Sequence, residues 1–271
     1  MLDVTANFPM EPAITILHLS DLHLFANCRE TLVNINPLHT LEQVVEHIGN
    51  AQTNQPDLIV LTGDISQDHS HYSYQLSYEV LKELGCPIIA TMGNHDQEAY
   101  FTKVFGDPTK IINNLNGDWS LLLLNSQYPG YVSGKLADHD LELLRKHLDR
   151  STKTMIFMHH HAFPSCSRWL DDIDLKTCDQ FLAIIKSYEN IGAVVCGHIH
   201  QELEATLHNI KFLSTPATSW QFAVNSKDFK LDILMPGYRW LKLYSNGDLR
   251  TWVTRIDYND LFIPDRNSIG Y

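Results

Sequence analysis

Nearly continuous apolar runs of strand length alternate with segments whose apolar residues recur every three or four positions. An unbroken apolar run of about five to seven residues is typical of a strand buried on both faces, as in parallel sheets. We therefore predict strands at Ile14–Ser20, Asp57–Leu61, Pro87–Met92, Trp119–Asn125, Thr154–Met158 and Ile191–Cys196. The alternation of such strands with helices predicts an α/β fold.

The predicted helices lie between these strands and carry start and stop signals. Asn36 before Pro37 predicts an N-cap followed by proline at the first helical position. Thr177, with Gln180 three residues later, predicts a capping box at the start of another helix. Two further helices are predicted over residues 71–84 and 138–149.

The pattern changes near residue 208, after which no helical period recurs. Strands are predicted at Ile210–Ser214, Tyr238–Tyr244 and Leu249–Ile256, and Asn246-Gly247 between the last two indicates a hairpin turn. We predict a single domain over residues 1–271, with an α/β core at 14–200, a β-rich half at 208–256 and a C-terminal tail. Two facing mixed sheets with helices outside fit this order.

Composition narrows the class of protein. The 271 residues are 44% hydrophobic and 19% charged, which is typical of a globular protein, and no run reaches the length of a membrane span. The net charge of −12 argues against a nucleic-acid or anionic-membrane partner, which would need clustered Lys and Arg. Five dispersed cysteines and no export signal in residues 1–13 predict a reduced, cytoplasmic protein.

Aspartate, asparagine or histidine residues follow five of the predicted strands. Carboxyl ends of strands in an α/β sheet share one edge, where ligands bind, so these side chains should meet in one cleft. Gly63 and Gly197 permit sharp turns just before two of them. The group comprises Asp21 and His23, Asp64, Asn94 to Asp96, His159 to His161, and His198 and His200.

These residue types indicate a metal site. Oxygen and imidazole ligands without thiolate suit Mn, Fe, Zn or a similar divalent ion, and the set is too rich in nitrogen for calcium. In Asp-x-His and His-x-His, two side chains of an extended segment point the same way and can hold one ion. The candidates outnumber the ligands of a single tetrahedral zinc, so two ions bridged by a carboxylate such as Asp64 are predicted.

The order of these motifs, D-x-H, G-D, G-N-H-D, a histidine after a strand and G-H-x-H, resembles that of the calcineurin-like metallophosphoesterases. The chain is also similar to bacterial class III 3′,5′-cyclic-nucleotide phosphodiesterases of the cyclic-AMP type. That similarity lies in "SDLHLF", "TGDISQD", "HHH" followed by "CSRWLDD", "CGHIHQEL" and the final "NSIGY". It implies a four-layer α/β/β/α sandwich and a dinuclear metal centre.

The resemblance also implies a role for each residue. The first metal would be held by Asp21, His23 and His200, the second by Asn94, His159 and His198, with Asp64 bridging them. His95 would be catalytic, facing the phosphate and protonating the leaving group. The substrate-binding residues would be His23, Asp64, Asn94, His95, His160 and His200.

Two local questions stay open in the sequence. His159 corresponds to the family ligand, but His161 has the same strand-face parity, so spacing alone does not separate the two. Trp169 is either a base-stacking residue or a core tryptophan. Ala162 and Arg168 depart from the pattern expected in close relatives and would change the rim of the site.

The implied activity is hydrolysis of 3′,5′-cyclic AMP to 5′-AMP by a hydroxide that bridges two metal ions. The expected ions are Fe²⁺ or Mn²⁺, and Zn²⁺ or Co²⁺ are the alternatives. A broader phosphodiesterase or phosphomonoesterase of the same fold, acting on glycerophosphodiesters or nucleotides, is the alternative. A non-catalytic scaffold is disfavoured because every ligand position is filled. The expected partners are a cyclic nucleotide and a second copy of the chain in a homodimer. Residues 163–176 and 208–256 are candidates for either a lid or a dimer surface.

Overall fold

The computed structural model describes residues 12–51, 55–115, 119–148, 153–257 and 263–270. The strands are β1 (Pro12–Leu19), β2 (Leu58–Leu61), β3 (Ile88–Ala90), β4 (Lys110–Leu115), β5 (Trp119–Leu123), β6 (Lys153–Phe157), β7 (Ile191–Cys196), β8 (Glu204–Leu207), β9 (Ile210–Ser214), β10 (Gly237–Tyr244) and β11 (Leu249–Arg255). The helices are α1 (Pro37–Asn50), α2 (His71–Leu81), α3 (Glu98–Phe105), α4 (Asp138–Leu148), α5 (Arg168–Asp171) and α6 (Cys178–Ile185).

The strands form two mixed sheets, as predicted. A five-stranded sheet has the order β11-β10-β1-β2-β3, and a six-stranded sheet has the order β4-β5-β6-β7-β9-β8. Strands β1, β2 and β3 run parallel to one another, as do β5, β6, β7 and β9. In the first sheet β10 pairs antiparallel with β1 and β11, and in the second β4 and β8 pair antiparallel with β5 and β9. The strands of the region 208–256 divide between the two sheets, because β9 pairs with β7 and β10 pairs with β1.

Three apolar clusters separate four layers, which confirms the expected sandwich. One cluster lies between the sheets and joins Ile16 and Val60 of the first to Leu121 and Phe157 of the second. A second packs α1, α2 and α3 on the outer face of the first sheet. The third packs α4, α5 and α6 on the outer face of the second. Strands covered on both faces explain the continuous apolar runs in the sequence.

The helix boundaries test the capping predictions. Asn36 caps α1 by accepting a hydrogen bond from the His39 amide, with Pro37 at the first position, as predicted. Thr177 does precede α6, but the capping box is wrong. Its hydroxyl accepts a hydrogen bond from the Leu136 amide at 2.9 Å and so ties α6 to a distant loop. The Thr177 hydroxyl oxygen therefore accepts from the distant Leu136 amide and not from an amide in the first turn of α6.

Some predicted boundaries and elements differ from the structure. The helix predicted over 71–84 ends as a 3-10 turn over Lys82–Leu84 before left-handed Gly85, and residue 149 of the predicted 138–149 helix lies outside the described residues. Helices α3 and α5 and strands β4 and β8 were not predicted. In β8, exposed and half-buried residues alternate at the sheet edge, so the strand has no apolar run.

Among the described residues, every helix is too short or too polar to cross a bilayer.

Candidate dinuclear metal centre

The predicted ligands meet where the loops after β1, β2, β3, β6 and β7 come together. The sequence predicted one sheet edge, but these strands belong to two different sheets. The cluster therefore joins the carboxyl ends of parallel strands from both halves of the sandwich. Asp21, His23, Asp64, His159, His198 and His200 are buried, whereas Asn94 and His95 are half-buried.

Several of these residues have a left-handed backbone. The φ angles are 57° at Asp21, 52° at His23, 50° at Asp64, 65° at His198 and 45° at His200. Such conformations are uncommon for residues with a side chain and cluster at functional sites, where surrounding structure holds them. Main-chain bonds hold these loops: the amide of Asp21 donates to the Gly63 carbonyl, and that of His23 to the Asp64 carbonyl.

Two glycines permit the close approach of these loops. Gly63, predicted to allow a sharp turn, has a φ of 92°. Gly197 has another role, because a Cβ there would overlap the Ser20 hydroxyl and lie 2.8 Å from Asp21 Oδ2. The loop after β7 thus packs directly on the loop after β1, and the two loops bring their ligands together.

The first ligand set consists of Asp21, His23 and His200. Their ligand atoms lie within 4.8 Å of one another. The Nε2 atoms of His23 and His200 are 3.2 Å apart, and His200 Nε2 is 3.3 Å from Asp21 Oδ1. Two imidazole nitrogens and one carboxylate oxygen therefore face a common point.

The second set consists of Asn94, His159 and His198. His159 Nε2 lies 3.1 Å from Asn94 Oδ1 and 3.2 Å from His198 Nδ1. One amide oxygen and two imidazole nitrogens face each other here, as the resemblance implied. His160 also contributes a nitrogen within 4.8 Å of the two histidine ligand atoms.

Asp64 lies between the two sets. Its Oδ2 is 3.3 Å from His159 Nε2 and 3.9 Å from His23 Nε2, yet this buried oxygen accepts no hydrogen bond. Its Oδ1 accepts one from the His95 amide at 2.8 Å. A buried carboxylate oxygen without a donor is unfavourable unless a cation satisfies it. The position and the unsatisfied oxygen both fit a bridging ligand.

The outward nitrogens of the four histidines are held by protein acceptors. His159 Nδ1 lies 2.7 Å from the Thr62 carbonyl, and His200 Nδ1 lies 2.8 Å from the Trp220 carbonyl. The remaining two pairs are His23 Nδ1 with Gln67 Oε1 at 2.7 Å and His198 Nε2 with the Ile173 carbonyl at 3.2 Å. An acceptor oxygen requires an N–H on that side, so the lone pair of each ring, when the ring is neutral, faces the cluster. This arrangement of tautomers fits metal ligation.

The electrostatics of the cluster favour a bound cation. Burial raises the pKa of Asp64, but nearby histidines, His159 first, outweigh burial and hold it well below the ordinary value. Burial lowers the pKa of His159, but the Asp64 carboxylate outweighs burial and raises it to about 9. At His159 the attraction of Asp64 for positive charge thus outweighs desolvation, whereas burial lowers the pKa of His23 to about 3 and that of His198 well below its ordinary value.

His95 lies at the open side of the cluster. Its ring meets that of His23 edge-on at 5.1 Å, and one of its nitrogens is within 4.8 Å of the ligand atoms of His23 and Asp64. Burial lowers the pKa of His95, opposed by the Asp64 carboxylate. Distance alone therefore allows His95 either to face a substrate or to join the ligands.

The other two histidines of the triplet are engaged by neighbouring protein groups. His160 is buried, with Nδ1 2.8 Å from the Ser126 hydroxyl and Nε2 3.0 Å from the Val132 carbonyl. His161 Nε2 is 3.6 Å from Asp171 Oδ1, and His161 belongs to none of the candidate ligand groups within the described residues. The geometry of the triplet thus favours His159 as the ligand and leaves direct substrate contact by His160 a prediction.

Sequence reasoning missed the residues that hold the ligands. Asp96 accepts hydrogen bonds from the amides of Ile65, Ser66 and Gly93 and so joins the loops of Asp64 and Asn94. The G-N-H-D motif contained Asp96, but no spacing revealed its partners.

Aromatic side chains pack behind the ligands. Trp220 stacks on His23 at 4.7 Å and Phe222 stacks on His200 at 4.2 Å. Trp169 packs edge-on against Phe222 and Phe229, as expected of the core alternative for this residue. These rings limit how far the buried imidazoles can turn, and no pattern in the sequence indicated them.

The similarity to known proteins agrees with this geometry. The family profile described as calcineurin-like phosphoesterase matches residues 14–202. The chain belongs to the calcineurin-like phosphoesterase family. Proteins named 3′,5′-cyclic adenosine monophosphate phosphodiesterase CpdA are 37% identical in Vibrio vulnificus, 35% in Pseudomonas aeruginosa and 34% in Escherichia coli, each over 96% of both chains.

The fold resembles that of a solved structure. A dimetal phosphatase from Danio rerio superposes with a TM-score of 0.64 over 87% of this chain and 94% of that one, at 13% identity. At that identity the likeness concerns the fold alone. Membership of the calcineurin-like phosphoesterases and the paired His/Asp clusters together indicate a dinuclear metal centre.

Proposed function

We propose that this protein hydrolyses 3′,5′-cyclic AMP to 5′-AMP. The observation that carries the proposal is the similarity, over 96% of both chains, to proteins named as cyclic-AMP phosphodiesterases. The two ligand sets on either side of Asp64 support phosphoester hydrolysis independently of those names. The broader phosphodiesterase or phosphomonoesterase activity has no comparable support among the relatives.

We propose Asp21, His23 and His200 as ligands of one ion, Asn94, His159 and His198 as ligands of the other, and Asp64 as the bridge. Fe²⁺ and Mn²⁺ are the proposed ions, with Zn²⁺ or Co²⁺ as substitutes, because the donors are nitrogen and oxygen without thiolate. When bound, such ions offset the negative charge of a phosphate and make a water molecule more acidic.

The proposed roles of the chain follow from the balance of the reaction. Water adds to phosphorus, the bond from phosphorus to the 3′-oxygen breaks, and that oxygen must take up a proton. His95, at the open side of the cluster, is the proposed donor, a role typically worth about 10²–10⁴-fold in rate. Burial lowers the pKa of His95, and the Asp64 carboxylate opposes that shift by favouring the protonated form that a proton donor needs.

The same side chains are proposed to contact the substrate. Asn94 and His95 border the opening and would meet the phosphate, while His23, Asp64 and His200 lie beneath it. The ring nitrogens of His160 are already engaged, so a direct contact would require this residue to change partners.

Product analysis tests the substrate. The purified protein, stripped of metal and reloaded with Mn²⁺ or Fe²⁺, would be given 3′,5′-cyclic AMP, cyclic GMP, 2′,3′-cyclic AMP and a glycerophosphodiester. We expect 5′-AMP from 3′,5′-cyclic AMP as the main product. Ready turnover of simple diesters or monoesters without 5′-AMP would overturn the substrate proposal and favour the broader activity.

The absence of a nucleic-acid partner, the homodimer and the cellular location stay predictions. The net charge of −12 supports the absence of a nucleic-acid partner. A homodimer and a cytoplasmic location rest on the sequence alone, and residues 1–11, where an export signal would begin, lie outside the described residues.

A further inference from the structure

A tight turn beside the centre carries two stacked tyrosines. Pro129 and Gly130 occupy its middle positions, Gly130 has a φ of 84°, and the amide of Tyr131 donates to the Tyr128 carbonyl at 2.9 Å. Proline followed by left-handed glycine is typical of a type II turn, which brings its first and fourth residues together. The two tyrosine rings accordingly stack at 4.2 Å with an interplanar angle of 5°. We call this pair the tyrosine platform.

The tyrosine platform is open to ligands. Tyr131 is 58% exposed, and Lys135 Nζ lies 5.2 Å from the centre of the Tyr128 ring, so Tyr131 presents the accessible aromatic surface. Exposed rings held in a fixed turn lose little entropy when a flat ligand stacks on them.

Tyr128 of the tyrosine platform lines a cleft whose walls also include Asn94 and Asp96, the chain neighbours of His95, and Tyr131 stacks on Tyr128. That cleft, of about 400 Å³, is lined by Asn94, Asp96, Gln127 and Tyr128, and its volume is within the range of small-molecule sites. A second cleft, of about 230 Å³, is lined by His200 and Val224. Of the two clefts, the one beside His95 is the larger.

The chemistry of the proposed reaction selects the same side. In an in-line displacement at phosphorus, the attacking water and the leaving oxygen lie on opposite faces. In 3′,5′-cyclic AMP the leaving 3′-oxygen belongs to the ribose that carries the base, and its proton donor is proposed to be His95. The nucleoside must therefore lie on the His95 side. We infer that the adenine base stacks on the tyrosine platform, with Tyr131 as its main contact; this inference rests on the proposed function.

The anchoring of the turn supports a fixed position for the platform. Gln127 donates hydrogen bonds to the carbonyls of Gly93 and Asp96, on either side of His95 in the chain. His160 contacts the Ser126 hydroxyl before the turn and the Val132 carbonyl after it. His160 would thus act on the substrate as a positioning residue, through the loop that carries the tyrosines.

Steady-state kinetics with two substrates test the inference. Bis(p-nitrophenyl) phosphate has the diester but no nucleobase. We expect Tyr131→Ala to raise KM for cyclic AMP about 5- to 100-fold, the range of base–aromatic stacking, and to lower kcat/KM for the aryl diester by a much smaller factor. Tyr131→Phe keeps the ring and should behave as wild type. An unchanged KM for cyclic AMP in Tyr131→Ala would overturn the inference.

Product inhibition gives a readout that does not need cyclic-AMP turnover. With the aryl diester as substrate, 5′-AMP should inhibit the wild type more strongly than ribose 5-phosphate, and Tyr131→Ala should bring the two inhibition constants together. Val224→Ala changes the cleft beside His200 and should leave the ratio of the two inhibition constants unchanged. If Val224→Ala removed the difference between the two inhibition constants and Tyr131→Ala did not, the base would lie in the cleft beside His200 instead.

The two proposals fail in distinguishable ways. Absence of 5′-AMP from cyclic AMP in the wild-type enzyme would overturn the proposed function. Formation of 5′-AMP at the wild-type KM by Tyr131→Ala would overturn the platform alone.

Discussion

Gln67 allows a direct test of how the chain orients His23, a proposed metal ligand. Its Oε1 lies 2.7 Å from His23 Nδ1 and so fixes an N–H there, leaving the Nε2 lone pair directed at the cluster. Gln67→Ala removes the acceptor and lets the imidazole choose the other tautomer. Gln67→Glu, of similar size, keeps an acceptor oxygen and is the matched control.

The expected effect is a loss of about 10- to 100-fold in metal affinity, which corresponds to about 1.4–2.7 kcal/mol. Since Gln67 is half-buried, water can partly replace the amide, and we expect the lower end of that range. The ring of His23 also stacks on Trp220, which holds its plane when the hydrogen bond is lost.

Competition with a chromophoric chelator measures the affinity directly, and the metal concentration for half-maximal hydrolysis of an aryl diester measures it independently. Gln67→Ala should require more metal in both assays and reach a similar maximal rate at saturation. Gln67→Glu should bind at least as tightly as wild type. Wild-type affinity in Gln67→Ala would refute the reasoning that this acceptor sets the tautomer of His23.

Three further predictions concern the centre and the core. Asp64→Ala should abolish hydrolysis and lower the metal content below two ions per chain by elemental analysis, because one bridging carboxylate serves both sets; an active preparation with at most one ion would contradict it. His95→Ala should keep its metal and lose about 10²–10⁴-fold in cyclic-AMP turnover but less with p-nitrophenyl esters, whose leaving group needs no proton; equal losses on both substrates would exclude the acid role. His18, whose pKa burial lowers to about 3, binds a proton more readily in the unfolded chain, so the free energy of unfolding should fall as the pH drops from about 6.5 toward 3. Urea titrations should show a weaker fall in His18→Gln, and an equal fall would contradict the assignment.

The strands and the candidate ligands could be predicted from the sequence because both depend on residues close together in the chain. A strand buried on both faces needs a continuous apolar run, and the residues just after such a strand must lie at a sheet edge. Asp21, Asp64 and His198 could therefore be selected as candidate ligands from their positions after strands, and the bridging role of Asp64 stays a prediction. The sandwich followed from the family resemblance and from the order of the elements.

The tertiary structure decided what depends on contacts between distant segments. It brought ligand loops of two sheets together, and it supplied acceptors such as Thr62 and Ile173 as backbone carbonyls, which carry no side-chain signal. It also directed the Thr177 hydroxyl to Leu136 instead of its own helix. The identity of a residue limits which bonds it can form, but only packing determines which partner comes within reach. The sequence by itself therefore indicated the candidate ligands, and the fold determined which groups orient them.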